Sequence, residues 1–433
     1  MSFGPKNLKI SFTGKNVTHF GGVYLLHLFF KRIKLKALFS KKILFVQRNN
    51  HYTISEMILA LIYPITLGFG RIETTHLLKH NGVFQYLTGL PTYPNPTTLR
   101  RFLLRMAPLA LSRLRSLHDR LLSTMMLKPT PPTRIIFDMD STVLVLYGKQ
   151  EKAHIGYNPK KPGRPSYHPL LCFNGITEDY WHGELRPGDT HTATGVLDFL
   201  EASFVKVPPS VRVIIIRADK GFFDHKTVEY LESKNALFVI VARMTSPIKR
   251  KLAGLSYDRY SSGIETAEFR YPVKAGHKEY RFVVVRRPIP EEPSEQLSLF
   301  TMGKFSYQVI VTNMKLTPLN PWKFYNGRAS VELIIKELKG DYPLARIPTK
   351  HYAANEAYFH ILLFSYNLIN WFKRLCLPKD VQRVTLNTLR SRLLLIPGVL
   401  VKSDNRPTLK LPANFWYRDA FEYAVKQIAQ LKI

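Results

Sequence analysis

The hydrophobic pattern changes period along the 433 residues. Up to about residue 130 the apolar positions recur at helical spacing. They predict a helix over 55–67, capped by Thr53 or Ser55, with Pro64 as a kink or an end. A second is predicted over 71–80, stopping at Asn81-Gly82. The proline-rich stretch 89–98 reads as a rigid connector, after which Leu99–Arg105 opens an amphipathic helix capped by Thr97 or Thr98. Pro-Thr-Pro-Pro-Thr (129–133) is the clearest boundary. Beyond it the period becomes that of strands. Residues 134–147 and 211–218 are strand runs, the second apolar enough to be buried on both faces. Residues 196–204 and 225–234 read as flanking helices, so the layout is α/β. Strands at 237–242, 266–272, 279–287 and 306–312 then predict a mainly antiparallel insertion over about 240–318. A helix over 325–339 follows, anchored by Val331, Leu333, Ile334, Ile335 and Leu338, and the tail 352–433 returns to helical spacing.

Charge changes the picture most. The chain has 63 Lys+Arg against 31 Asp+Glu, a formal net charge of +32, which favours a polyanionic partner, nucleic acid or an anionic membrane surface. Residues 1–130 carry 19 basic and 3 acidic residues, half of that excess, and no acid precedes Glu56. Short helix, turn, basic helix is the order of a helix-turn-helix reader, and it makes Arg100, Arg101 and Arg105 candidate DNA contacts. Lys160, Lys161 and Arg164, in Lys-Lys-Pro-Gly-Arg-Pro, could enter a narrow minor groove or be a solvated basic loop. The apolar segment 22–30 contains His27 and runs into Lys31-Arg32 without a small-residue cleavage site, unlike a signal peptide. Residues 57–70 and 358–372 are too short and punctuated to span a bilayer, so no membrane role is expected. Cys172 and Cys376 lack a metal-type spacing and suit a reducing, cytoplasmic setting.

Candidate chemistry lies in carboxylates that the fold could bring together. Asp138 and Asp140 share one side of an apolar strand, where unpaired acids are costly. Asp219 follows the buried strand 211–218 and leads into Lys220-Gly221, where open α/β sheets keep their chemistry. Tyr325, Arg328, Glu332 and Lys339, three, four and seven residues apart, share one stripe of the predicted helix. Three hard oxygen ligands from separate elements, Asp140, Asp219 and Glu332, suit Mg²⁺ or Mn²⁺. Two such ions could drive phosphodiester chemistry.

The Tyr-x2-Arg-x3-Glu-x6-Lys spacing of Tyr325, Arg328, Glu332 and Lys339 resembles the signature of one branch of the DDE transposases of bacterial insertion sequences. Asp140 in Asp-Ser-Thr and Asp219 in Ala-Asp-Lys-Gly-Phe match the positions of that family's first two acids, and 156–171 resembles a subgroup block. The resemblance implies an RNase H-like catalytic core with a β-rich insertion. It implies nicking at element ends with Mg²⁺ or Mn²⁺, and strand transfer by the freed 3′-hydroxyl. Asp140, Asp219 and Glu332 would be the metal ligands, Arg328 and Lys339 the grip on backbone phosphates with Tyr325 assisting, and Asp138 a support behind Asp140. Partners implied are double-stranded DNA, as terminal inverted repeats and target, and a second copy of the chain in a homodimer. The expected setting is the bacterial nucleoid. Expected domains are a helical DNA-binding region at 1–130, the core at 131–375 and a helical tail at 376–433.

Two rival readings remain at this level. Asp138-Met-Asp-Ser-Thr also fits a haloacid-dehalogenase-type phosphatase, with Asp138 as nucleophile and Asp140 as acid/base. That reading leaves the basic N-terminal region and the 325–339 helix without a role. A DNA-binding derivative that no longer cuts is the other; the presence of all three acids speaks against it.

Overall fold

Arg134–Ser141, apolar but for two aspartates, forms β1, the strand around which the larger of two units is built. The computed structural model describes residues 10–47, 51–158, 161–261, 263–289, 300–302, 304–403 and 405–432. The larger unit is Leu103–Asn370; the smaller combines 1–102 with 371–433. These limits fall at different positions from the boundaries near 130 and 375 expected from the sequence.

The larger unit begins within the 31-residue helix α1 (Pro96–Met126). On one side of β1, β2 (Leu170–Asn174) pairs antiparallel with it and β3 (Tyr180–Glu184) antiparallel with β2. On the other side β4 (Val213–Ala218) and β5 (Leu237–Val241) follow in parallel. Helices α2 (Val196–Phe204) and α3 (His225–Ser233) are supplied by the crossovers, close to their expected limits. The next strands are β6 (Asp258–Ser261), β7 (Ile264–Pro272), β8 (Glu279–Pro288), β9 (Phe300–Met302) and β10 (Phe305–Thr312). They are antiparallel, as expected, but do not form a separate sheet. Ile310–Thr312 of β10 pairs with Val239–Val241 of β5, so one ten-stranded mixed sheet results. Two apolar strand edges join here because leaving their backbone groups unpaired in the core would be costly.

The single helix expected over 325–339 is two: α4 (Leu319–Asn326) and α5 (Ala329–Gly340). Val331, Ile334, Ile335 and Leu338 are buried, but Leu333 is 66% exposed and is no anchor. The apolar run 358–372 lies in α6 (Tyr352–Cys376), whose Asn367 brackets the Tyr180 backbone with two 2.7 Å hydrogen bonds. Nearby, Arg115, His118 and Asp119 of α1, His182 of β3, Lys206 and His360 line a small polar cavity. Lys206 Nζ donates to Asp119 at 2.9 Å and to His182 Nδ1 at 3.1 Å. The His182 proton is therefore on Nε2, which has no hydrogen-bond partner among the described residues and lies 3.9 Å from Glu184 Oε1. Burial first, then the cations Lys206 and Arg115, pushes His182 down to about 3.

The smaller unit is helical where the N-terminal pattern is helical. Thr53 begins Ile54–Leu67 with a capping box: its side chain accepts from Glu56 N at 3.3 Å, and Glu56 accepts from Thr53 N at 3.0 Å. Asn81-Gly82, expected as a stop, is also a start, because the Asn81 side chain accepts from Phe84 N and caps Gly82–Thr88. Val23–Arg32 is apolar because Val23, Leu25, Leu26, Phe29 and Phe30 are core residues. No single helix among the described residues is long and apolar enough to cross a membrane. The tail departs from its expected helical character. Gly398–Ser403 and Arg406–Lys410 form a hairpin, with Asn405 left-handed at its turn, before the helix Arg418–Gln430. The hairpin pairs with Val17–Thr18. Gly22 is required nearby: a Cβ there would lie 1.8 Å from Leu393 O.

Candidate active site

Asp140 sits at the end of β1 with its side chain 16% exposed. It accepts from Ser141 N at 2.9 Å and from Arg328 Nη2 at 3.0 Å. The same guanidinium donates from Nη1 to Glu332 Oε1 at 3.2 Å, one turn along α5, and to Met139 O at 3.2 and 3.3 Å. One buried cation thus joins the first and third predicted acids. Asp219 stands at the C-terminal end of β4, its Oδ1 accepting from Gly221 N at 2.8 Å. Arg243 holds that turn by donating to Lys220 O and Gly221 O. Asp140 is pushed up to about 6, by burial first and then by the charges of Asp219 and Glu332, against the pull of Arg328. Arg328 is held protonated, above its ordinary value, because Asp140 and its neighbours outweigh the cost of burying it. Tyr325, at the end of α4, is pushed up to about 12 by burial and by the same three carboxylates.

Asp138 lies one strand period below Asp140. Both its oxygens are taken by Arg217, Nε to Oδ1 and Nη2 to Oδ2, each at 2.6 Å. Asp138 and Arg217 are register partners on β1 and β4, 1% and 4% exposed. Burial raises Asp138 and the guanidinium draws it back. An aspartyl nucleophile needs an oxygen free to attack, so the phosphatase reading fails here. Arg217 was not anticipated, although a lone Arg in Ile-Ile-Ile-Arg-Ala asks for a buried carboxylate.

Ser141, His168 and Thr192 were also missed. His168 Nδ1 is 2.7 Å from Thr190 O, which can only accept, so Nδ1 carries the proton and Nε2 accepts from Ser141 Oγ at 3.1 Å. Ser141 Oγ is also 3.1 Å from Thr192 Oγ1. Burial lowers His168 and keeps it neutral.

The expected phosphate grip looks different in place. Arg328 is turned inward as described, and Lys339 Nζ donates to Val143 O at 3.0 Å. The Lys161 amine rests on the phenol of Tyr147, which is 72% exposed, and Arg164 lies 5.9 Å from that ring. Lys160 lies outside the described residues. On α1, Arg100 pairs with Glu73, Arg101 is exposed and Arg105 half-buried.

The donor set fits a hard divalent cation in chemistry: three carboxylates, one of them buried and incompletely compensated. It does not yet form a closed cage. Among the described residues, no three Asp, Glu, His or Cys side chains are grouped so as to hold an ion.

Acids delivered by two neighbouring parallel strands and a covering helix, around one buried guanidinium, define an α/β enzyme with a carboxylate site at its strand ends. The chain belongs to the transposase DDE domain group 1 family, whose family model matches residues 2–433. No curated protein matches the sequence. Among solved structures, a piggyBac transposase synaptic complex with hairpin DNA is similar, with a TM-score of 0.48 and 13% identity, over 86% of this chain and 79% of that one.

Proposed function

We propose that this DDE transposase binds the terminal inverted repeats of a bacterial insertion sequence, nicks them, and joins the freed 3′-hydroxyl to target DNA. The observation that carries the reading is the Arg328 guanidinium shared by Asp140 and Glu332, with Asp219 acting on Asp140 from the adjoining strand end. Asp140, Asp219 and Glu332 would hold two Mg²⁺ or Mn²⁺ ions. Bound there, such ions supply Lewis acidity and lower the pKa of the attacking water or hydroxyl. Arg328 keeps Asp140 ionised and limits where Glu332 can swing, while its bonds to Met139 O keep the guanidinium in place. Arg243 and Gly221 fix the Asp219 turn. Lys339, tied to Val143 O, braces α5 against the chain just beyond β1.

The five-strand run β3-β2-β1-β4-β5, with β2 alone reversed, supports an RNase H-like core. The basic N-terminal region supports DNA binding through Arg100, Arg101 and Arg105. Lys161 and Arg164 beside exposed Tyr147 suit a second backbone contact. A homodimer bridging two ends, working at the nucleoid, completes the proposal. Purified protein should nick duplexes carrying the element's ends, and not scrambled ones, when Mg²⁺ or Mn²⁺ is present. Glu332→Gln should abolish nicking and leave end binding intact. A Gln variant that still nicks removes Glu332 from the ligand set.

A further inference from the structure

Beneath the three acids lies a second, fully buried charge layer. Asp138 precedes Asp140 by two residues on β1, and Arg217 precedes Asp219 by two on β4. The third arm of the Arg217 guanidinium, Nη1, donates to Phe324 O at 2.9 Å, and the group lies 5.1 Å from the Phe324 ring. Phe324 belongs to the last turn of α4, immediately before the break that leads into Arg328 and Glu332. A single Asp–Arg pair therefore joins the two strands that carry Asp140 and Asp219 and bonds the helix that leads into the one carrying Glu332.

Two glycines clear the space it occupies. A Cβ on Gly175 would lie 2.5 Å from Asp138 Oδ2 and 2.6 Å from Arg217 Nη2. A Cβ on Gly327 would lie 2.3 Å from Arg217 Nη1. Neither glycine has a positive φ, so what each position requires is room and not backbone freedom. The junction between α4 and α5 thus passes the guanidinium too closely for any side chain at 327.

We infer that the Asp138–Arg217 pair is a positioning clamp that sets the spacing of Asp140, Asp219 and Glu332, and through it the protein's affinity for divalent metal. The inference rests on the proposed metal-dependent function. Arg is needed because its three directed donors, set on β4, reach both oxygens of Asp138 on β1 and the Phe324 carbonyl of α4 at once; a Lys at 217 offers a point charge and loses the planar fork. Asp is needed because it accepts two of those donors at once.

The test uses the full-length chain and four variants: Asp138→Asn, Arg217→Lys, Gly327→Ala, and Asp138→Leu combined with Arg217→Met. The paired apolar variant is the folding control, since a buried ion pair can often be replaced by apolar groups of similar volume without loss of stability. Mn²⁺ affinity is read on DNA-free protein by electron paramagnetic resonance. Nicking of end DNA is read against Mg²⁺ and Mn²⁺ concentration, and end binding by gel shift. The clamp predicts unchanged end binding, with Mn²⁺ affinity and nicking each reduced about 10–100-fold, including in the folded apolar pair. Raising Mn²⁺ should recover part of the nicking, which a merely unstable protein would not show. If the apolar pair and Gly327→Ala bind Mn²⁺ and nick like wild type, the clamp is overturned and the proposed function stands. Wild-type protein that neither binds Mn²⁺ nor nicks end DNA overturns the function, and the clamp with it.

Discussion

Lowering the pH from 7.5 to 5 should take about 2 kcal/mol from the larger unit through His182 alone. This histidine is 2% exposed and held uncharged, down to about 3, by burial and by Lys206 and Arg115. In the unfolded chain it titrates near 6.5. Its stabilising effect is complete above 6.5 and is lost as the pH falls from there towards 3, because only the unfolded chain takes up the proton. At pH 5 that difference amounts to about 1.5 pH units, or about 2 kcal/mol. His118 and His360 are lowered by burial in the same cavity and act in the same direction. Asp119, lowered to about 2, adds stability that is constant across this window and is lost only as the pH falls below its ordinary 3.8. Asp140 works the other way: pushed up to about 6, it takes up a proton in the folded state as the pH falls. The informative quantity is therefore the difference in pH dependence between wild type and His182→Asn, whose amide oxygen can still accept from Lys206. Urea denaturation followed by tryptophan fluorescence at both pH values provides it. With a slope of about 3 kcal/mol per M, the wild-type midpoint should drop by roughly 0.7 M more than that of the variant. Equal drops would refute the assignment of a buried neutral His182.

Two further outcomes follow from local geometry. Thr53→Ala removes one half of the capping box and should destabilise the smaller unit by about 1 kcal/mol in a urea titration, with Thr53→Ser restoring most of it. Leu333→Ala, at a position 66% exposed on α5, should change stability by less than about 0.5 kcal/mol. A loss on the scale of a core truncation, about 2–5 kcal/mol, would mean that Leu333 is buried after all.

Features written in contiguous residues were legible in the sequence. Val196–Phe204 matches its expected limits because one amphipathic stripe and its ends lie within nine residues. Four strands of 237–312 were recognisable for the same reason, being β-rich runs between punctuating loops, whereas the short strands Asp258–Ser261 and Phe300–Met302 were not. What pairs with what was not legible. Nothing local says that Ile310–Thr312 joins Val239–Val241, or that Val17–Thr18 meets Gly398–Val399. The tail hairpin was missed because its alternation is short and sits between helical stretches. Within the site, the acids stood out as charges among apolar neighbours. Arg217 was hidden by the same apolar run that made Val213–Ala218 an obvious strand, and the need for a glycine at 327 depends on a side chain 110 residues earlier. Arg328 and Lys339 lie at the expected positions, but which carbonyls they reach depends on β1 and the loop after it.

The strand Val17–Thr18 and the helix Val23–Arg32 take their partners from residues nearly 400 positions later: Gly398–Val399, and the Leu431 carbonyl that Arg32 Nε meets at 2.6 Å. At about 5–20 residues per second, a ribosome needs on the order of half a minute to travel from codon 102 to codon 418. Throughout that interval residues 17–32 are without the strand and helix that pair with them. A premature stop anywhere upstream of codon 398 therefore also strips residues 17–32 of their partners.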